Sequence, residues 1–392
     1  MIHFNNLDTV TFLKEYWQKK PLVIRNALPS WENFITPDEL AGLALEEDVE
    51  SRLVWETPQA KPQWHLERGP LKSTRFKRLP QSHWTLLVQG VDRLIPEIAA
   101  LRQHFDFLPQ WRFDDIMISF ATLHGSVGPH FDYYDVFLYQ ALGQREWRLT
   151  AKNCHPENYI SDLELRIMRE FETEETFILE EGDMLYLPPH IGHYGISLSD
   201  ECMTYSFGYR SYQGQELWES FGDYLAEHGA FKKLYTDPDW SLLDDRGVIT
   251  SAAWKQAQQL IQEMVIDEAL IKKWFGTFAT QPDAEPLEEY TIHEDEIEEI
   301  LGNIQRGRVK LIRHAHCRIA YLDNTGIEPL TYFVNGISYT TSLDNLKLLQ
   351  LFASYQPLTP KSLQPYLKNT ASRSLIGEFL INNWLDVVET SS

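Results

Sequence analysis

Between Ile116 and Phe207 the chain breaks into short runs rich in aromatic and β-branched residues, and no other feature limits its fold as much. The runs are Ile116–Ala121, Val136–Tyr139, Glu146–Leu149, Thr176–Leu179, Met184–Leu187 and Thr204–Phe207. Turn signals such as Ala141-Leu142-Gly143-Gln144 and Glu180-Glu181-Gly182-Asp183 separate several of them. Strands this short and this closely spaced must fold back on one another, so a barrel or sandwich is predicted. The chain is far longer than such a unit. At 392 residues it exceeds one ordinary core, and two or three domains are expected.

Ahead of the strands, Phe12–Arg25 reads as a helix stopped by Pro21 and then a strand. A short helix begins at Thr36-Pro37-Asp38-Glu39, where threonine caps and proline takes the first turn. Ser51–Glu67 alternates as a strand pair would, and apolar residues from Trp84 to Arg102 return with helical spacing. Behind the strands, Leu217, Trp218, Phe221, Tyr224 and Leu225 form one apolar stripe that ends near Gly229. A long helix is predicted from Ala252 to Phe275, with Trp254, Ala257, Ile261, Met264 and Val265 inside and Gly276 as its stop. These helices expose more apolar surface than they can bury alone, and pairing with a second subunit is preferred to packing on the barrel. Gln281–Pro286 reads as a linker, and acidic residues continue to Glu299. The remainder is a small α+β unit. It has strands at Arg308–Arg313 and at Tyr332–Tyr339 turning at Asn335-Gly336, helices near Asp344–Ala353 and Lys361–Tyr366, and a last strand or helix near Asn383–Leu385. A winged helix fits it.

The chemistry starts at Gly128-Pro129-His130-Phe131-Asp132. Alternation along an extended segment puts His130 and Asp132 on one side, so both can face one ion. Alone, such a pair is common and often no more than a hydrogen-bonded couple. The context strengthens it. Sixty-one residues on (193 − 132) stands His193, in Pro188-Pro189-His190-Ile191-Gly192-His193 after the Gly182–Leu187 turn and strand. His190 and His193 compete for the third position, and the Pro-Pro-x-x-x-His spacing of cupin barrels selects His193. Two imidazoles and one carboxylate on one face of a metal suit non-haem Fe(II) that activates oxygen. The barrel variant whose mouth suits such a metal is the double-stranded β-helix, or cupin jelly roll. Oxygen activation needs two further electrons, which decarboxylation of 2-oxoglutarate supplies. The distal carboxylate of that molecule needs a cation deeper in the barrel. Arg145, thirteen residues past Asp132 (145 − 132) at the start of the next strand, offers two parallel hydrogen bonds to it. Ser119, on the strand before the His-x-Asp turn, adds a hydroxyl.

The pieces now on the page resemble those of a known family. Phe12–Arg25, Asp114–Phe120, Val127–Phe137, Arg145–Arg148, Gly182–Pro189, Tyr205–Arg210 and the Phe333–Gly336 hairpin together resemble the bacterial ribosomal oxygenases, which are Jumonji-C (JmjC) 2-oxoglutarate dioxygenases acting on ribosomal protein. The resemblance implies a JmjC double-stranded β-helix over residues 1–211, a helical dimerisation region over 212–280 and a winged-helix-like domain over 281–392. It implies iron at His130, Asp132 and His193, with Arg145 and Ser119 holding 2-oxoglutarate and O2 as the oxidant. The best-matched bacterial members hydroxylate the β-carbon of an arginine in the sixteenth large-subunit ribosomal protein, and human relatives act on a ribosomal histidine. One turn departs from the pattern: Leu123-His124-Gly125-Ser126 stands where more glycine is expected.

An arginine entering such a site needs carboxylate or aromatic partners. Asp115, Tyr134 and Asp135 are candidates by position, with structural support and wall packing as their plainer roles. The net charge of −22 suits a basic protein partner and disfavours direct nucleic-acid binding. The start of the chain lacks a signal-peptide pattern, no apolar run is long enough to span a bilayer, and three scattered cysteines fit free thiols. A cytoplasmic enzyme is the expectation. Two other readings stay open: a cupin-type metal enzyme for a small molecule, and a winged-helix regulator using Arg306, Arg308, Lys310, Arg313 and Arg318 on nucleic acid. The acidic run from Asp283 to Glu299 weakens the latter.

Overall fold

The structure is a computed structural model, and residues 2–5, 7–28, 33–60, 63–229, 232–238, 248–282, 291–323 and 328–390 are described. The chain divides into two compact units, Met1–Ser211 with Ser354–Gln356, and Tyr212–Ala353 with Pro357–Ser392.

In the first unit, α1 (Thr9–Glu15) is capped by Asp8, and β1 (Leu22–Ile24) follows. Thr36 and Glu39 form a reciprocal capping box on α2 (Pro37–Leu43), with proline in its first turn. Then come β2 (Ser51–Glu56), β3 (Trp64–Arg68), α3 (Ser73–Phe76), β4 (Trp84–Val88) and α4 (Pro96–Ala99). The barrel strands are β5 (Phe113–Ala121), β6 (Asp135–Leu142), β7 (Arg145–Thr150), β8 (Glu175–Leu179), β9 (Met184–Leu187), β10 (Gly192–Ser197) and β11 (Cys202–Tyr209). All pairings are antiparallel. One sheet runs β1-β9-β6-β11-β5-β4-β2-β3 and the other β10-β7-β8.

The large sheet has two differently used faces. On one, Ile116, Ile118, Phe137, Tyr139, Tyr186, Tyr205 and Phe207 join Phe12 and Phe105 in a large aromatic core. On the other, Val136, Leu138, Leu185 and Leu187 pack against Trp147, Leu149 and Leu179 of the small sheet. Side-chain alternation therefore turns Ser119, Met117 and Asp115 of β5 inward, together with Thr204, Ser206 and Gly208 of β11. This is the double-stranded β-helix.

Two expectations for this unit change. Trp84–Val88 is a strand, because β5 and β2 bond it from both sides, and helical turns begin only later, with α4 starting at Pro96. Gly192–Ser197 is also a strand, although it is not among the runs read from the sequence.

The second unit opens with α5 (Gly214–Glu227), α6 (Ser251–Ile266) and α7 (Glu268–Ala279). The single long helix expected here is broken at Asp267, which leaves helical geometry (ψ 89°) and caps α7 by accepting from the Leu270 N–H. Phe221 and Tyr224 of α5 pack on Trp274 and Phe278 of α7. Gly276 is not a stop but an interior notch: a Cβ there would lie 2.2 Å from the Phe333 ring. Next come α8 (Ile297–Gln305), β12 (Val309–Arg313), β13 (Ile319–Tyr321), β14 (Leu330–Val334), β15 (Ile337–Thr341), α9 (Leu346–Ala353), α10 (Pro360–Leu363), α11 (Thr370–Ile381) and β16 (Leu385–Glu389). Strands β14 and β15 turn at Asn335 and Gly336, both with positive φ (47° and 80°), as the Asn-Gly pair predicts. Helices α8 and α11 went unread, and the expected linker lies largely outside the described residues. The last element resolves as a strand, paired with β12.

Gly276 gives a sign test. Alanine gains up to ~1 kcal/mol in helix propensity, whereas overpacking costs about 1–3 kcal/mol. The ring of Phe333 is fully buried and cannot retreat, so Gly276→Ala is expected to be destabilising by about 1–2 kcal/mol, read as a lower urea midpoint at unchanged slope.

Candidate metal centre

The two histidines are brought together by backbone before any side chain is considered. The His130 N–H donates to the His193 carbonyl (3.0 Å) and the His193 N–H donates to the His130 carbonyl (2.7 Å). Gly128, at φ +83°, lets the chain turn into this bridge, and a Cβ there would strike the Ile167 side chain at 2.7 Å. The Met168 N–H donates to the Pro129 carbonyl (2.7 Å), and the His190 N–H donates to the Asp132 carbonyl (2.8 Å).

The rings are then aimed. Nδ1 of His130 lies 2.9 Å from the Gly128 carbonyl, and Nδ1 of His193 lies 3.0 Å from the Ile191 carbonyl. A carbonyl only accepts, so each Nδ1 carries the proton and each Nε2 keeps its lone pair free. Oδ2 of Asp132 stands 3.6 Å from Nε2 of His193 and 4.0 Å from Nε2 of His130. Two metal–ligand bonds of about 2.1 Å span up to about 4.2 Å, so one ion fits between these groups. Among the described residues this trio alone meets the geometry of a metal cluster, its ligand atoms lying within 4.8 Å of one another. Burial, and then the nearby His130 ring, push His193 down to about 4, which keeps it neutral and ready to coordinate. His190 is outside the cluster. It is exposed, with its ring edge-on to Tyr133, and contributes only its backbone.

Arg145 faces inward from β7, 4% exposed, and its Nε and Nη2 have no hydrogen-bond partner among the described residues. A buried guanidinium left open in this way fits the carboxylate of a bound acid. Ser119 faces the same interior from the large sheet, in register with Thr204 and Leu87.

The three substrate candidates separate. Asp115 is 4% exposed on the inward side, and its Oδ2 accepts from the Gly90 N–H (2.7 Å) and from Gln89 Nε2 (2.8 Å). Burial, reinforced by Asp114, pushes its carboxyl up to about 6. Tyr134 is 43% exposed beside Asp132, whose carboxylate pushes the phenol well above its ordinary value. Asp135 must be withdrawn as a substrate contact. It is fully buried on the aromatic side, accepting from Tyr186 Oη (2.6 Å), Gln18 Nε2 (3.2 Å) and Arg112 Nη2 (3.4 Å), and so ties the N-terminal segment to the barrel. The role of Gln89 and Gly90 in holding Asp115 was missed, because no local motif signals residues that act across strands.

The raised Asp115 carboxyl has a defined stability signature. Its folded value lies above the unfolded one, so its contribution is present below about 4 and lost as pH rises through about 6. Asp115→Asn is therefore expected to gain stability relative to the parent between pH 4.5 and pH 8, by on the order of 2 kcal/mol. Urea titrations of both proteins at the two pH values measure it.

Comparisons with known proteins agree with this geometry. Residues 100–217 match the JmjC domain family, and residues 258–386 match the ROXA-like winged helix. The ribosomal protein uL16 3-hydroxylase of Escherichia coli (strain K12) is 36% identical over 275 residues, 70% of this chain and 72% of that protein. A probable ribosomal oxygenase of Haemophilus influenzae is 31% identical over 357 residues, 86% and 83% of the two chains. The structure of YcfD, a ribosomal oxygenase from Escherichia coli, in complex with cobalt and 2-oxoglutarate superposes with a TM-score of 0.81 at 30% identity, covering 97% of this chain and 98% of that one. With the barrel, the winged helix and the relatives in agreement over most of its length, the chain belongs to the JmjC ribosomal oxygenases.

Proposed function

We propose that the protein is an Fe(II)- and 2-oxoglutarate-dependent hydroxylase of a basic ribosomal protein, and that it adds one oxygen to the β-carbon (C3) of an arginine in the sixteenth large-subunit protein. One observation carries the reading. A single barrel holds both a His130, Asp132 and His193 cluster and a buried arginine whose Nε and Nη2 have no hydrogen-bond partner among the described residues. The Escherichia coli relative, named a uL16 3-hydroxylase, supports the substrate. His130, Asp132 and His193 would hold the iron, while Arg145 and Ser119 would hold 2-oxoglutarate. Iron with 2-oxoglutarate and O2 supplies the oxidising power for attack on an unactivated C–H bond.

The protein's own part is positioning. The paired backbone hydrogen bonds fix the two imidazoles at one spacing, and the carbonyls behind them fix the tautomer. Arg145 orients the acid by charge and geometry. Asp115, held by Gln89 and Gly90, would present its remaining oxygen to a guanidinium, with Tyr134 at the rim. The net charge of −22 would draw a basic protein towards the mouth. Trp218 on α5 and Trp254 and Ile261 on α6 are 55%, 49% and 45% exposed, which supports pairing of these helices with a second copy. We propose no nucleic-acid partner. No described helix is long and apolar enough to cross a membrane.

Intact-mass analysis of a peptide from the sixteenth large-subunit protein tests the reading, with enzyme, Fe(II), 2-oxoglutarate and O2 present. One oxygen is gained on arginine, and none with His130→Ala. Oxygen mapped to histidine, or no gain beside continued succinate release, rejects the substrate. In the same assay Arg145→Lys raises the KM for 2-oxoglutarate about 10- to 100-fold, because an ammonium cannot make the paired contact. An unchanged KM removes Arg145 from the site.

A further inference from the structure

Arg145 is not the only donor left open on its face of β7. Two residues along, and on the same inward side, Trp147 is 5% exposed, and its indole Nε1–H has no acceptor among the described residues. Buried donors without partners are rare, and each calls for a specific explanation. Here three such atoms, Nε and Nη2 of Arg145 and Nε1 of Trp147, belong to neighbouring side chains, with the guanidinium carbon 5.7 Å from the indole centre.

The indole is held by the fold rather than by a bond of its own. Trp147 stands opposite Gly195 in the β7–β10 register. A Cβ at Gly195 would meet the benzo edge of the ring at 2.6 Å, so the strand is hollowed to seat it and the pyrrole edge is turned away from β10. The same ring lies 5.9 Å from that of His193, centre to centre. The indole thus sits beside both the metal cluster and the arginine. Around it are Val136, Leu138, Leu149, Leu179, Leu185 and Leu187, and none of these side chains can accept a hydrogen bond.

We infer that Trp147 is a second binding residue for the distal carboxylate of the acid cosubstrate, donating its Nε1–H to that group alongside Arg145. The inference rests on the reading of Arg145 given above. The carboxylate satisfies all three open donors at once. An acid without a distal carboxylate leaves them open, so the pair selects for chain length.

The test uses the full-length protein with Co(II) in place of iron, and 2-oxoglutarate or oxalate as the titrant in calorimetry. Trp147→Phe keeps a ring over Gly195 and removes only the donor. It is expected to bind 2-oxoglutarate about tenfold to a hundredfold more weakly, the loss of one hydrogen bond to a charged group. Oxalate, which has a chelating end and no distal carboxylate, binds both proteins equally. With 15N-labelled tryptophan and diamagnetic Zn(II) in place of Co(II), the indole resonance missing from Trp147→Phe moves downfield when 2-oxoglutarate is added to the parent, as a new charged acceptor requires, and not when oxalate is added. Equal 2-oxoglutarate affinity in the variant, or an unmoved resonance, overturns the inference and leaves Arg145 intact. Equal losses for both acids also overturn it, since they reveal a packing role. No 2-oxoglutarate binding by the parent overturns the reading beneath it. If the variant does not fold, the resonances that move in the parent decide: no indole N–H that distinguishes the two acids means no such donor.

Discussion

Two backbone hydrogen bonds between His130 and His193 hold the centre of this molecule together. They join the turn that precedes β6 to the first residues of β10, so elements from both sheets meet at one point. Everything around them serves that closure. Gly128 makes the turn, and Ile167 fills the space that any side chain there would need. Met168 bonds Pro129 from one side, and His190 bonds Asp132 from the other. A ligand set placed by peptide groups is stiffer than one placed by side-chain rotamers, because the peptide is planar and its partners are fixed.

The barrel around that point divides its labour by side-chain parity. Outward-facing positions of the large sheet carry rings that interlock with Phe12, Trp17 and Phe105, as in Phe137 against Tyr186 at 4.8 Å and Phe105 against Phe207 at 4.4 Å. Burying such rings stabilises the fold by roughly 25 cal/mol for each Å² of apolar surface. Freed from that duty, the inward positions can be small or polar. Thr204, Ser206 and Gly208 on β11 keep the interior open, and Gln140 holds Thr204 across the strand pair at 3.2 Å. The first face therefore only packs, whereas the second both packs, through Val136, Leu138, Leu185 and Leu187, and lines the candidate site.

The same parity explains what could be read in the sequence and what could not. The strand runs and the His-x-Asp and Pro-Pro-x-x-x-His spacings were legible because period-two alternation and proline punctuation are local. Trp84–Val88 was misread because four apolar residues in a run of five satisfy a helix or a strand equally, and only its neighbours decide. β10 was missed because two glycines weaken its strand signal, and Gly195 is there for the sake of Trp147, far away in sequence. Asp115 and Asp135 looked alike as acids near the metal motif. Asp115 shares a side with Ser119, whereas Asp135 shares one with Phe137 and Tyr139, and that alone takes it out of the site. The break at Asp267 is a single residue in an otherwise helical pattern, and Gly276 looked terminal only because its partner, Phe333, is distant in the chain.

The notch at Gly276 also bears on how this protein comes apart. Helix α7 accepts the buried Phe333 ring at that notch, and Thr280 at its end takes a hydrogen bond from the Gly336 N–H (3.1 Å). On its other side the helix packs against α5. α7 is thus a shared wall between the helical segment and the hairpin of β14 and β15. A cut in the acidic stretch after residue 281 would leave Phe333 without its cover. Pieces that open or resist proteolysis together should therefore include α7 with the hairpin.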